Sequence, residues 1–107
     1  MSHGIPREIE AAIRARDVEC VYCHKAMVPT ISPRRADWAT IEHLDHLPPF
    51  SYREGQTADD FAIACMSCNS RRRDKPLSLF VEEQGIKDSV APVIKAYLAK
   101  REANRRR

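Results

Sequence analysis

Apolar positions recur with a helical period at both ends of the chain and fall into short runs between them. Near the start, Ile5, Ile9, Ala12 and Ile13 lie at i, i+4, i+7 and i+8. That spacing predicts a helix over 5–16, with Pro6 suited to its first turn. At the other end, Val90, Val93, Ile94, Tyr97 and Leu98 form the longest apolar stripe. It predicts a helix over 87–104 with Ser89 as its cap. The central segments differ. Trp38-Ala39-Thr40-Ile41-Glu42 and Phe61-Ala62-Ile63-Ala64 are short, aromatic and β-branched, and predict two strands.

Proline and glycine divide what remains. Pro29 and Pro33 make 25–37 a loop holding at most a short strand, and Pro48, Pro49 and Gly55 break the connection 43–60. From Asn69 a helix is expected until Pro76, and another over 77–83 stopped by Gly85. Trp38, Phe50, Phe61 and Phe80 are read as core rather than as platforms for base stacking. The reading is an α+β fold: a small strand pair with helices before and after it.

Composition narrows this further. The chain has 107 residues, 43 % hydrophobic and 31 % charged, which suits one folded domain and argues against disorder. So small a domain needs a staple, and the four cysteines are the candidates. Residues 1–6 carry no apolar secretory core, and no apolar run approaches the ~18 residues of a membrane span. A soluble, cytoplasmic protein with no membrane partner is therefore expected, in a compartment where disulfides rarely persist.

The cysteines form two turns, Cys20-Val21-Tyr22-Cys23 and Cys65-Met66-Ser67-Cys68. Two C-x2-C turns far apart in sequence supply four thiolates for a tetrahedral structural zinc ion. A redox pair of the thioredoxin kind needs a βαβ setting that is absent. Four thiolates close the coordination sphere, so this zinc is not expected to be catalytic.

The net charge is only +3, but the cations cluster in Arg34-Arg35, Arg71-Arg72-Arg73 and the tail Arg105-Arg106-Arg107. Clustered arginine suits a polyanion, and any one such run is also compatible with a solvated face. Polar residues gather after the first predicted strand, at Glu42, His43, Asp45 and His46, with Asp59, Asp60 and Asn69 further on. If the cysteine turns meet, Glu42, His43 and Asn69 are expected to face one cleft. Oxygen ligands for a hard cation and an imidazole to activate water are the parts of metal-assisted hydrolysis.

In this order the motifs resemble the HNH endonucleases of the small free-standing phage or bacterial type. The resemblance covers about 18–80: Cys20-x2-Cys23, then Ala39-Thr40-Ile41-Glu42-His43, then Asp60-Phe61-Ala62-Ile63-Ala64-Cys65-Met66-Ser67-Cys68-Asn69. It implies a ββα-metal core over 18–80, flanked by the helices at 5–16 and 87–104 and a basic tail at 105–107. It further implies His43 as the general base, with Glu42 and Asn69 holding Mg2+ or Mn2+, and Asp60 where an asparagine commonly orients the base. His46 is the rival base or ligand. Arg71, Arg72 and Arg73 are the expected phosphate contacts. The chain departs from the pattern with Glu for Asp at 42, Asp for Asn at 60, Arg for Lys at 72 and Arg for Gly at 73.

The expected partner is DNA, double-stranded, cut to 5′-phosphate and 3′-hydroxyl ends in the cytoplasm of a bacterium or phage-infected host. A monomer or weak homodimer is expected, with specificity supplied by a protein partner if at all. The alternative is a non-catalytic zinc module that binds nucleic acid or protein. Asn69 on that view is only a helix cap; on either view His3 and His24 are incidental, and Asp45 and His46 support the site from behind or face solvent.

Overall fold

The computed structural model describes residues 4–29, 35–45 and 51–105. Helix α1 (Arg7–Arg16) comes first, followed by the first cysteine turn and a loop pinned by the bridges Glu19–Ala26 and Val28–Trp38. Strand β1 (Ala39–His43) then pairs with β2 (Phe61–Cys65). The pair is antiparallel, with Ala39 opposite Cys65, Ile41 opposite Ile63 and His43 opposite Phe61. A 3-10 turn (Ala58–Asp60) leads into β2, and α2 (Met66–Arg72) follows β2 without a linker. Helices α3 (Leu77–Glu83) and α4 (Pro92–Arg105) complete the chain. The architecture is α+β, with one two-stranded sheet and four α-helices among the described residues.

The sheet separates two apolar clusters, as strand alternation requires. On one side Phe61 and Ile63 meet Ile5 and Ile13, so α1 packs there through the face anticipated from its spacing. On the other, Ala62 and Ala64 meet Tyr22, Leu77, Phe80 and Ile94, drawn from the cysteine turn, α3 and α4. Tyr22 and Phe80 pack edge to face with ring centroids 5.1 Å apart. All five residues of β2 are buried, which accounts for its continuous apolar sequence.

Several boundaries differ from the sequence-based expectation. α4 starts at Pro92 rather than near 87, because proline has no N–H to give the helix interior and fits the first helical position. Ser89 instead closes a turn onto the Ile86 carbonyl, at 3.2 Å from Oγ and 2.9 Å from N. α2 starts at Met66, three residues before Asn69, so Cys68 lies inside the helix. β1 runs one residue further than expected, through His43. No described helix is long and apolar enough to cross a membrane.

Candidate functional site

The two cysteine turns meet. The Sγ atoms of Cys20, Cys23, Cys65 and Cys68 all lie within 4.8 Å of one another, with Cys23 exposed and the others buried. A zinc ion about 2.3 Å from each of four sulfurs sets S···S edges of about 3.8 Å. Cys23 and Cys65 are 3.8 Å apart. The thiol set fits zinc, and these four side chains are the ones that would hold it. Without a metal the thiols share protons unequally. A hydrogen bond from Cys68 lowers Cys20 to about 4, while the same contact and burial push Cys68 up. Burial also raises Cys65.

The backbone around this cluster ties the first cysteine turn to β2 and to the approach to α4. Cys20 N–H donates to Lys25 O at 3.0 Å and His24 N–H to Cys20 O at 2.9 Å, a tight turn that His24 closes with φ +63°. Val21 N–H reaches Ile63 O on β2, and Ala91 N–H reaches Val21 O just before α4. The His24 ring meets the Ser89 carbonyl, so His24 joins the first cysteine turn to the approach to α4.

Strand alternation decides where the remaining candidates fall. Glu42 and His43 are consecutive in a regular strand and point to opposite faces. Glu42, 2 % exposed, accepts a hydrogen bond from the Tyr22 hydroxyl and lies 3.6 Å from the Arg72 guanidinium. Its other oxygen, Oε1, is buried with no hydrogen-bond partner. Burial raises this carboxyl from 4.5 to about 7, against the pull of Arg72 and Tyr22. Burial and the neighbouring Glu42 charge likewise push the Tyr22 phenol well up. His43, 6 % exposed, stacks edge-on against Phe61 at 5.1 Å on the face that α1 covers.

Asn69 stands on the Glu42 side. Its Nδ2 donates to Thr40 Oγ1 at 2.9 Å, and Thr40 in turn donates to Ala64 O at 2.8 Å. The structure therefore brings Asn69 to β1 but does not bring Glu42, His43 and Asn69 into one cleft. The Asp60 carboxylate caps its own 3-10 turn, accepting from Thr57 N–H at 2.9 Å. Only its backbone carbonyl touches the strand end, accepting from Leu44 N–H at 3.1 Å. His46 lies outside the described residues, as do Arg34 and Phe50.

Arg72 corrects the expectation of a surface phosphate contact, since it is 0 % exposed. Its guanidinium donates to Lys75 O at 3.0 Å, His43 O at 3.4 Å and Leu44 O at 2.9 Å. Helical spacing explains this: Cys68 and Arg72, four apart, share the inward face of α2, which leaves Ser67 and Arg71 outward. Arg71 and Arg73 are exposed.

The same geometry tests the expected divalent ion. Mg2+ keeps several waters when bound to protein. The Glu42 carboxylate is dry and one of its oxygens already faces a phenol and a guanidinium. Glu42 in this arrangement does not fit a hydrated dication.

Sequence reasoning missed three contributors. Tyr22 sits inside the first cysteine turn and holds Glu42. Asp17 accepts the Ile63 N–H at 3.0 Å, and Arg16 donates to Phe61 O at 2.6 Å, together anchoring β2 to the end of α1. The Thr57-x-x-Asp60 capping box marks only the neighbouring 3-10 turn and signals none of these three.

Comparisons of the chain with protein-family models, with curated proteins and with solved structures returned no match.

Proposed function

We propose that this protein is a zinc-stapled endonuclease of the HNH type, hydrolysing phosphodiester bonds of double-stranded DNA. The observation that carries the reading is the β1–β2–α2 unit clamped at one end by four converging thiols. His43 ends β1, and Asn69 on α2 is bonded back to the same strand. Within this reading His43 takes the proton from the attacking water, and Asn69 supports the strand that carries it. The resemblance calls for Mg2+ or Mn2+, which Glu42 as placed here does not fit, and His46 is the rival to His43. Glu42 is better understood as a buried partner of Arg72 than as an open ligand.

That last point favours a second reading, a zinc module that binds nucleic acid without cutting it, because a carboxylate held by arginine is not free for a metal. One experiment separates the two. Zinc-loaded protein is incubated with supercoiled and linear DNA and Mg2+ or Mn2+, beside His43→Ala and His46→Ala. Cleavage lost in His43→Ala alone supports the proposal. DNA left intact by the wild type under both metals leaves the binding module. Cutting that survives in His43→Ala and fails in His46→Ala moves the base to His46.

A further inference from the structure

The loop before β1 and the outer face of α2 enclose a groove of about 630 Å³. Arg35, Arg71, Arg73 and Lys75 line it, with the hydroxyls of Ser67 and Ser70 between them. The groove is built rather than accidental. Ser67 N–H donates to Ala36 O and Met66 N–H to Trp38 O, each at 2.9 Å, which closes the loop onto the start of α2. Arg35 is held in place by Asp37 through bonds of 2.9 and 3.0 Å, and Lys75 by Glu83 at 2.7 Å. Arg71 donates to two neutral acceptors, Ser67 Oγ at 2.9 Å and Gln84 Oε1 at 3.4 Å, and so keeps its full charge at the groove. Arg73, one residue past the helix, is exposed beside it.

We propose that this groove seats the sugar-phosphate backbone of duplex DNA at a position flanking the cut. This rests on the reading of DNA as the substrate, but not on the chemistry at His43. Arg71 bonded only to neutral acceptors, the exposed Arg73, the carboxylate-paired Arg35 and Lys75, and two hydroxyls match a chain of phosphodiesters, each an anion with open acceptor oxygens. The groove lies along the outer face of α2, which packs on the Thr40 and Glu42 side of the sheet, whereas the His43 ring packs against Phe61 on the opposite face. A phosphate held in the groove is therefore not the one attacked. Its role is to set where the duplex lies.

The test measures binding of the zinc-loaded full chain to a short duplex between about 50 and 200 mM salt, with Mg2+, Mn2+ and chelator all withheld. The double variant Arg71→Gln/Arg73→Gly removes two exposed charges and leaves Arg72 untouched. Each phosphate that a variant no longer neutralises lowers the slope of log K against log salt by about 0.9, so a fall of about 2 is expected. Lys95→Gln/Lys100→Gln on α4 changes the net charge equally and is expected to leave the slope as it was. An unchanged slope in the groove variant, or an equal fall in the α4 control, overturns the proposal. So does a variant that weakens single-stranded RNA while duplex DNA binds as before. His43→Ala, expected to bind with the wild-type slope, reports on the cutting reaction separately. A nuclease reading that fails there leaves the groove result standing, and the reverse also holds.

Discussion

Arg72 and Glu42 meet inside the protein, 3.6 Å apart, with side chains 0 % and 1 % exposed. The pair joins the end of α2 to β1, and Tyr22 adds the first cysteine turn to the same contact. Arg72 also gathers the carbonyls of His43, Leu44 and Lys75. A side chain of this kind holds the strand end in position without taking part in any reaction.

Removing one partner of such a pair costs more than the pair contributes, because the other group stays buried without the partner that satisfied it. Arg72→Met is expected to destabilise the zinc-loaded protein by about 3–5 kcal/mol in urea unfolding. It also strips three carbonyls of a donor. Glu42→Gln keeps an acceptor for Tyr22 and should cost distinctly less. Equal losses in the two variants would show that the guanidinium is not the organising group.

The raised Glu42 carboxyl gives stability a pH dependence of definite sign. Its value is about 7 when folded against an ordinary 4.5, so the folded state binds the extra proton between those limits. The contribution is complete below about 4.5 and is lost as pH climbs through 7. Relative to Glu42→Gln, wild type should weaken by on the order of 3 kcal/mol across that window. Parallel curves for the two proteins, each zinc-loaded, would place the titration elsewhere.

How far the sequence led depends on how local each signal is. The C-x2-C spacing and the apolar runs flanking it are local, and the thiol cluster and hairpin follow from them with boundaries shifted by a residue. Facing is not local. Arg72 reads as surface because it sits in a run of three arginines, yet a helix that starts at Met66 turns it inward behind Cys68. Likewise, Glu42 and His43 look like one pair in sequence, and the pleat of β1 sends them to opposite sides. Pro92 was visible within the last apolar stripe and sets the start of α4 by its missing N–H.

Zinc is expected at one ion per chain, and its removal should unfold the domain. Structural zinc contributes an apparent ~10–16 kcal/mol in small modules, as much as or more than the ~5–15 kcal/mol that holds a typical domain together. Three of the four cysteines are buried in the cluster that also contains Val21, Phe80 and Ile94. Losing the ion leaves those thiols packed with nothing to draw the turns together. Far-ultraviolet circular dichroism during titration with a strong chelator should show helix loss in step with zinc release. Full helicity after complete release would show that the fold stands without the ion.

Arg73 offers the opposite change, a gain. It follows the last turn of α2 with φ +54° and ψ −123°, a backbone region that side chains disfavour and glycine tolerates. A non-glycine residue held there costs on the order of 1–3 kcal/mol. Glycine recovers part of that and loses part to the greater freedom of its unfolded chain. Arg73→Gly is therefore expected to raise stability by about 1 kcal/mol, read as a higher urea midpoint at unchanged slope. The same substitution takes one cation from the groove beside α2, so a more stable protein should bind duplex DNA with a shallower salt dependence. A variant less stable than wild type would mean that the Arg73 side chain contributes more to the fold than its backbone conformation costs.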